Sequence, residues 1–222
     1  MAEIFDDYRL MQQCIARAVT LEHHKRDFQS ALKRTLPRLH RSISLPPQDG
    51  PQRLICFVIR YIQAVPEWLW QVEQLCQVAG LDFTPVRAVI GHSFATPPER
   101  HPDHVGLAAL LDDAYLAHRA LEEINEQLQP ACRMPLLPMD PMVANMVVRD
   151  LLGEQLASEL DEICIDLGRP FRVQRLAPDS LVAMILCRQR FNDTPGTWPD
   201  FAGELEIGLR PLVAELDTYT LH

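Results

Sequence analysis

One helix-patterned segment carries the side chains best suited to chemistry. At about 100° per residue, His118 and Asn125 fall on its apolar face, and Tyr115 and Glu122 lie along one flank. Polar groups on the buried side of a helix need partners, so they mark either a structural hydrogen-bond network or a site. The segment is therefore the first place to look for function.

His118 and Glu122 are four residues apart, which makes them neighbours on a helix surface. A carboxylate beside an imidazole tunes its proton affinity, so the pair could supply a general acid with its orienting group, or two metal ligands. A hydrogen-bonded interior histidine that fixes packing is the plainer alternative. The sequence favours this structural interpretation of His118.

The acid-rich character continues to residue 166. Residues 103–166 contain thirteen carboxylates and three arginines. In the helix expected at 141–167 the apolar face changes side near Gly153, so the helix either breaks there or is covered on both sides. An unbroken helix would align Asp150, Glu154 and Asp161. The ligand-binding residues expected from both segments are His118, Glu122, Tyr115, Asn125, Asp150 and Glu154.

The sequence gives little support to a metal or cofactor site. Bundles that hold two metal ions use Glu-x-x-His pairs, and this chain contains none. It also lacks the P-loop, dinucleotide, EF-hand and zinc-ribbon patterns, and no particular cofactor is indicated. We therefore predict no metal. If one is bound, its expected ligands are Glu67, His118, Glu122, Asp150 and Glu154.

Two further clusters have a binding interpretation. Trp68 and Trp70 could line an apolar pocket, although large rings on a central helix most often fill the core. Arginines near the end of the chain could bind a phosphate or carboxylate, although pairing with the acid-rich helices is favoured. These arginines are Arg169, Arg172, Arg175, Arg188 and Arg190.

The elements that must position these residues are helical. The three- and four-residue spacing of apolar side chains predicts an all-α, irregular multi-helix bundle of about seven to nine helices. Residues 54–79 form its centre, with a kink or restart at Pro66 and a stop at Gly80. Alternation suggests one short strand near 171–176, and a last helix is expected at 201–216. We expect one domain over 1–222, with a candidate subdomain boundary near 96–102.

Composition narrows the function classes. The net charge of −9 and a pI near 5.3 argue against a protein that neutralises phosphate backbones, so nucleic acid is an unfavourable partner. Arg60, Pro66 and Glu67 interrupt the most apolar segment and argue against a transmembrane helix. Six widely spaced cysteines without a CxxC pair indicate reduced thiols, and the acidic N-terminus does not resemble a signal peptide. We expect a cytoplasmic location.

Three functions remain. The leading hypothesis is a non-catalytic helical protein that binds a protein partner or a small ligand, since no catalytic pattern is present. The second is a metal-binding protein or metal-dependent enzyme centred on His118 and its carboxylates. The third is a carrier of an apolar ligand in the Trp68 and Trp70 region. The sequence specifies no oligomeric state.

Overall fold

The structure, a computed structural model, describes residues 2–95, 106–132, 136, 141–173, 175–192 and 202–209. Its described part contains eight α-helices and one pair of two-residue strands, which confirms the all-α prediction. The helices are α1 Ala2–Lys25, α2 Asp27–Thr35, α3 Gly50–Ala79, α4 Thr84–Ala95, α5 Leu107–Cys132, α6 Met142–Leu152, α7 Glu154–Gly168 and α8 Pro178–Asn192. Short 3-10 helices occupy Leu36–Arg38, Arg169–Phe171 and Gly203–Leu205.

Helix α3 forms the centre of the core. It packs against α1, α5 and α8, so apolar residues are needed on nearly all of its sides. It runs through Pro66 without a break and ends at Gly80, whose φ of 75° suits a residue without a Cβ. The side chains most deeply buried along it are Leu54, Phe57, Val58, Tyr61, Ile62, Val65, Leu69, Val72, Leu75 and Cys76. Burial of each such side chain contributes about 1.5 to 3 kcal/mol.

A buried carboxylate joins α1, α3 and α4. Glu73, 7% exposed, accepts a hydrogen bond of 2.6 Å from the Tyr8 hydroxyl and lies 3.4 Å from the Nε of Arg87. Arg87 also pairs with Asp7 at 3.3 Å. The charge on Glu73 is therefore compensated inside the protein, as buried charges require.

The helix expected at 141–167 breaks at Gly153. This glycine has φ 87° and ψ 154°, a conformation that is essentially restricted to glycine, and it separates α6 from α7. The change of the buried face near Gly153 is thus explained by a break rather than by a doubly covered helix. Asp150, Glu154 and Asp161 consequently do not form a continuous stripe.

Strand pairing occurs at a different place from the expected one. The segment that alternates from 171 to 176 begins with the end of a 3-10 helix, and residues 172, 173, 175 and 176 are not in a strand. Buried Phe171 is instead held by Phe83, whose ring centroid is 6.2 Å away. The strands are β1 Ile43–Ser44 and β2 Gly208–Leu209, which pair antiparallel. The helix expected at 201–216 is wrong for residues 202–209, which form a 3-10 helix and β2 instead, and residues 201 and 210–216 lie outside the described residues.

Two local features complete the described fold. Helix α5 runs through Pro130 and ends at Cys132. The six cysteines are free thiols, and Cys56 is exposed on α3. No helix in the described part of the chain is long and apolar enough to cross a membrane.

Candidate functional site

The centre of the polar interior is Asp161 on α7. Its Oδ1 accepts a hydrogen bond of 2.9 Å from the Tyr115 hydroxyl and one of 3.2 Å from the Nε of Arg119. Its other oxygen, Oδ2, pairs with Arg149 of α6. One carboxylate therefore connects α5, α6 and α7 and lies between two arginines.

Glu122 extends this network toward α3. It pairs with Arg119, one turn earlier on α5, and accepts a hydrogen bond of 2.6 Å from the Nδ2 of Asn145. The Oδ1 of Asn145 accepts one of 2.7 Å from the hydroxyl of buried Tyr61. The amide of Asn145 thus uses both its acceptor and a donor within the protein.

Arg149 completes the network at its solvent edge. Its Nη2 donates to Glu154 at 2.7 Å and to the Ser158 hydroxyl at 3.0 Å. Hydrogen bonding to Glu154 raises the pKa of Arg149. Two arginines are thereby matched with the carboxylates of Glu122, Glu154 and Asp161, as expected for a structural ion-pair network.

The pKa values of Arg119 and Tyr115 suit structural hydrogen bonding better than proton transfer. Burial disfavours the charge of Arg119, but Glu122 and Asp161 outweigh it and raise its pKa. Burial raises the pKa of Tyr115 to about 12, so its hydroxyl stays protonated and acts as a donor. A catalytic group needs a pKa near the working pH and access to a substrate. Tyr115 and Arg119 keep their ordinary protonation states.

His118 points inward, but its described contacts are with α3 and not with the acidic segment around Gly153. The ring is 1% exposed, and its Nε2 donates to the Tyr61 carbonyl at 2.8 Å. Its centroid lies 4.1 Å from the Tyr61 ring and 4.8 Å from Trp68, the latter edge-on. Burial lowers the pKa of His118 to about 4, so the ring is neutral near pH 7.

The remaining predicted residues bind backbone groups elsewhere. Asn125 accepts a hydrogen bond of 2.6 Å from the backbone nitrogen of Leu136. Asp150 accepts one of 2.8 Å from the backbone nitrogen of His40. The structure therefore brings Tyr115, Glu122 and Glu154 into one network with Arg119 and Arg149. Asn125 and Asp150 instead hold the backbone of loop residues Leu136 and His40.

The five residues named as metal ligands do not converge. Glu67 is exposed and accepts a hydrogen bond of 2.7 Å from Gln71, while Glu122 and Glu154 bind arginines. In the part of the chain that the structure describes, no group of three or more His, Cys, Asp or Glu side chains could hold a metal ion.

The two tryptophans are in contact with protein rings. Trp68 is 1% exposed and packs on His118, and Trp70 lies 5.5 Å from Phe191 of α8. This arrangement favours a role in the core for the Trp68 and Trp70 region.

Sequence reasoning missed Arg119, Arg149 and Asn145 as members of the network. The available signal was the scarcity of arginine in the acid-rich stretch, where Arg119 and Arg149 are two of three. Where arginines are few and carboxylates are many, each arginine is expected to pair with more than one carboxylate. Sequence could not show which carboxylates they contact, since that depends on how α5, α6 and α7 are rotated.

A surface feature also emerges on α8. Val182, Ile185 and Leu186 share one side of this helix and are 55%, 38% and 54% exposed. The opposite side packs on α3, where Met184 is fully buried. Single exposed apolar residues are ordinary, but three adjacent ones on a well-anchored helix form a candidate docking face. We call Val182, Ile185 and Leu186 the α8 face.

Exposed arginines bracket the α8 face along the chain. Arg172 and Arg175 precede α8, and Arg190 lies one turn after Leu186 near its end. Asp179 is the exposed acid on the same helix. Of the arginine cluster, Arg169 pairs with Asp166 of α7, as the internal interpretation expected.

Comparison of the chain with protein-family models, curated proteins and solved structures gave no match.

Proposed function

We propose that this protein is a non-catalytic binding protein that docks an acidic, amphipathic helical segment of another protein on the α8 face. The observation that carries the proposal is the exposure of Val182, Ile185 and Leu186 on a helix whose other side is fixed to the core. An amphipathic partner helix buries such a stripe by laying its own apolar face along it.

Charge supports an acidic partner. Two exposed arginines, Arg172 and Arg175, precede the α8 face along the chain. Carboxylates beside the apolar stripe of a partner would pair with them, and such rim pairs steer association and set orientation more than they add affinity. The acidic chain as a whole, at net −9, would repel the same partner elsewhere on its surface.

The polar interior supports a non-catalytic role. The carboxylates of Glu122 and Asp161 contact arginines, and His118 is neutral and buried. A metal-dependent enzyme centred on His118 would need its carboxylates to turn toward a common point. The described contacts direct them to Arg119 and Arg149 instead.

The proposal can be tested with synthetic peptides. One peptide is an amphipathic helix with a leucine stripe flanked by glutamates, and the other has lysines in place of the glutamates. By fluorescence anisotropy, the glutamate peptide should bind about tenfold tighter or more, and Leu186→Asp should abolish the binding. Val89→Asp is the matched control, since Val89 of α4 is also exposed, at 39%, and outside the α8 face.

Two outcomes contradict the proposal. The first is equal binding of both peptides, or of neither, by the wild-type protein. The second is an equal loss for Val89→Asp and Leu186→Asp. Light scattering of the protein alone separates another occupant: a dimer that Leu186→Asp dissociates would identify a second copy as the partner on the α8 face.

A further inference from the structure

A cavity of about 190 Å³ lies where α2 covers the start of α5 and the corner between α6 and α7. Its wall is largely apolar and includes Phe28, Leu32, Leu111, Leu152 and Leu156. The cavity is partly open to solvent, so a ligand can enter it from the surface. An engineered apolar cavity of about 150 Å³ in another protein binds benzene, so the volume here is adequate for a ligand of about that size.

The cavity wall contains one charged side chain among its described residues, Asp112 of α5. Its other polar member, Thr35, directs its hydroxyl to the carbonyl of Ala31 at 3.4 Å, which leaves the wall otherwise apolar. A ligand that fills this space would meet hydrocarbon on most sides and a carboxyl at one point. This combination selects for a molecule with an apolar body and one polar head.

The surroundings of Asp112 favour a positively charged head. The next residue, Asp113, is also an acid, and it accepts a hydrogen bond from the Ser93 hydroxyl of α4. Burial, and secondarily the charge of Asp113, raise the pKa of Asp112 to about 7. A cation at the cavity would stabilise the ionised pair, whereas an anionic ligand would add a third negative charge.

We propose that this cavity binds a small alkylamine, with the ammonium group against Asp112 and the hydrocarbon between α2, α5 and the corner at Gly153. The ammonium donates a charge-assisted hydrogen bond to the carboxylate, and the alkyl group replaces water against leucine and phenylalanine side chains. The site is separate from the α8 face and does not depend on the function proposed there.

Isothermal titration calorimetry with three ligands of equal length tests this site. At pH 8, n-hexylammonium should bind about tenfold tighter or more than n-hexanol, and n-hexanoate should bind weakest. From butyl- to hexylammonium the affinity should rise roughly fourfold per methylene while the cavity fills. These ratios are measured on the wild-type protein and do not depend on a variant that folds.

Two variants then locate the site. Asp112→Asn should bring hexylammonium binding close to that of hexanol while leaving hexanol binding intact. The control Asp179→Asn, an exposed acid on α8, should leave the ratio of the two affinities unchanged. The proposal is overturned by equal affinities for hexylammonium and hexanol, by a preference that survives in Asp112→Asn, or by no measurable heat from any of the three ligands.

Discussion

Replacing Gly168 with alanine tests how closely α5 and α7 approach each other. Gly168 has ordinary helical angles, φ −76° and ψ −28°, so its conformation does not require glycine. A Cβ built there would overlap the Cγ of Glu123, closer than real Cβ atoms come to another heavy atom. Glu123 is itself 8% exposed and hydrogen-bonded to Gln127 at 2.7 Å, so it has little room to move.

We expect Gly168→Ala to lower the free energy of unfolding by about 1 to 3 kcal/mol, the usual cost of an extra buried carbon. For a chain of this size, each 1 kcal/mol shifts the melting temperature by about 2 to 4 °C. The intrinsic preference of a helix for alanine over glycine opposes this by about 0.5 to 1 kcal/mol. The steric cost should exceed the helix preference.

Gly168→Ala should no longer destabilise the protein when Glu123 is also replaced. Glu123→Ala removes the Cγ atom, so Gly168→Ala in that background should be neutral or stabilising by up to about 1 kcal/mol. Gly91→Ala in α4 is the matched control, because its Cβ would lie 3.6 Å from the Cε of Met11, an ordinary contact. Urea denaturation followed by circular dichroism measures all of these variants.

The close approach of α7 to Glu123 is refuted if Gly168→Ala stabilises the protein as much as Gly91→Ala does. It is also refuted if the loss is the same with and without Glu123→Ala. Either result would mean that the backbone of α7 does not lie directly over Glu123.

Three other predictions concern the polar interior and the break at Gly153. Asp161→Asn should lower the free energy of unfolding by about 2 to 3 kcal/mol, because Arg119 and Arg149 lose a shared carboxylate. Glu154→Gln, whose side chain is 83% exposed, should cost less than about 0.5 kcal/mol, and equal losses in urea denaturation would contradict this. Unfolded His118 binds a proton below its ordinary pKa of 6.5, whereas the folded ring resists protonation until about pH 4. Its contribution to the free energy of unfolding is thus fully present above pH 6.5 and falls by up to about 3 kcal/mol as the pH drops to 4. In denaturation experiments at a series of pH values, the difference in stability between wild type and His118→Gln should therefore shrink from pH 6.5 to pH 4. A difference that stays constant over this range would refute the prediction. Gly153→Ala should cost about 1 to 3 kcal/mol by thermal melting because of its φ of 87°, and a neutral result would argue against the break between α6 and α7.

Much of the fold could be predicted because local spacing determines it. The apolar spacing of residues 54–79 indicated a core helix, and α3 occupies that position from Gly50 to Ala79. The change of face near Gly153 left two alternatives, a break or a helix covered on both sides, and the structure has the break. A strand pair of two residues on each side has no local pattern of comparable strength, so β1 and β2 were not anticipated.

The candidate site was less predictable because its contacts are set by tertiary packing. Sequence indicated that His118 lies on a buried face, and the structure gives it 1% exposure. Its partner, however, is a backbone carbonyl of Tyr61, a group that every residue possesses. No side-chain pattern signals such an acceptor.

The segment 202–209 has a consequence for the order of events during synthesis. It pairs Gly208 and Leu209 with Ile43 and Ser44, and its acids Glu204 and Glu206 contact Arg60 and Arg53 of α3. During synthesis the ribosome extends the chain from its N-terminus, so residues 43 and 44 emerge long before residues 208 and 209. The backbone of β1 therefore stays without its partner strand until almost all the described helices have been translated. A nascent chain stalled before residue 202 would expose this edge to chaperones or to other unfinished chains.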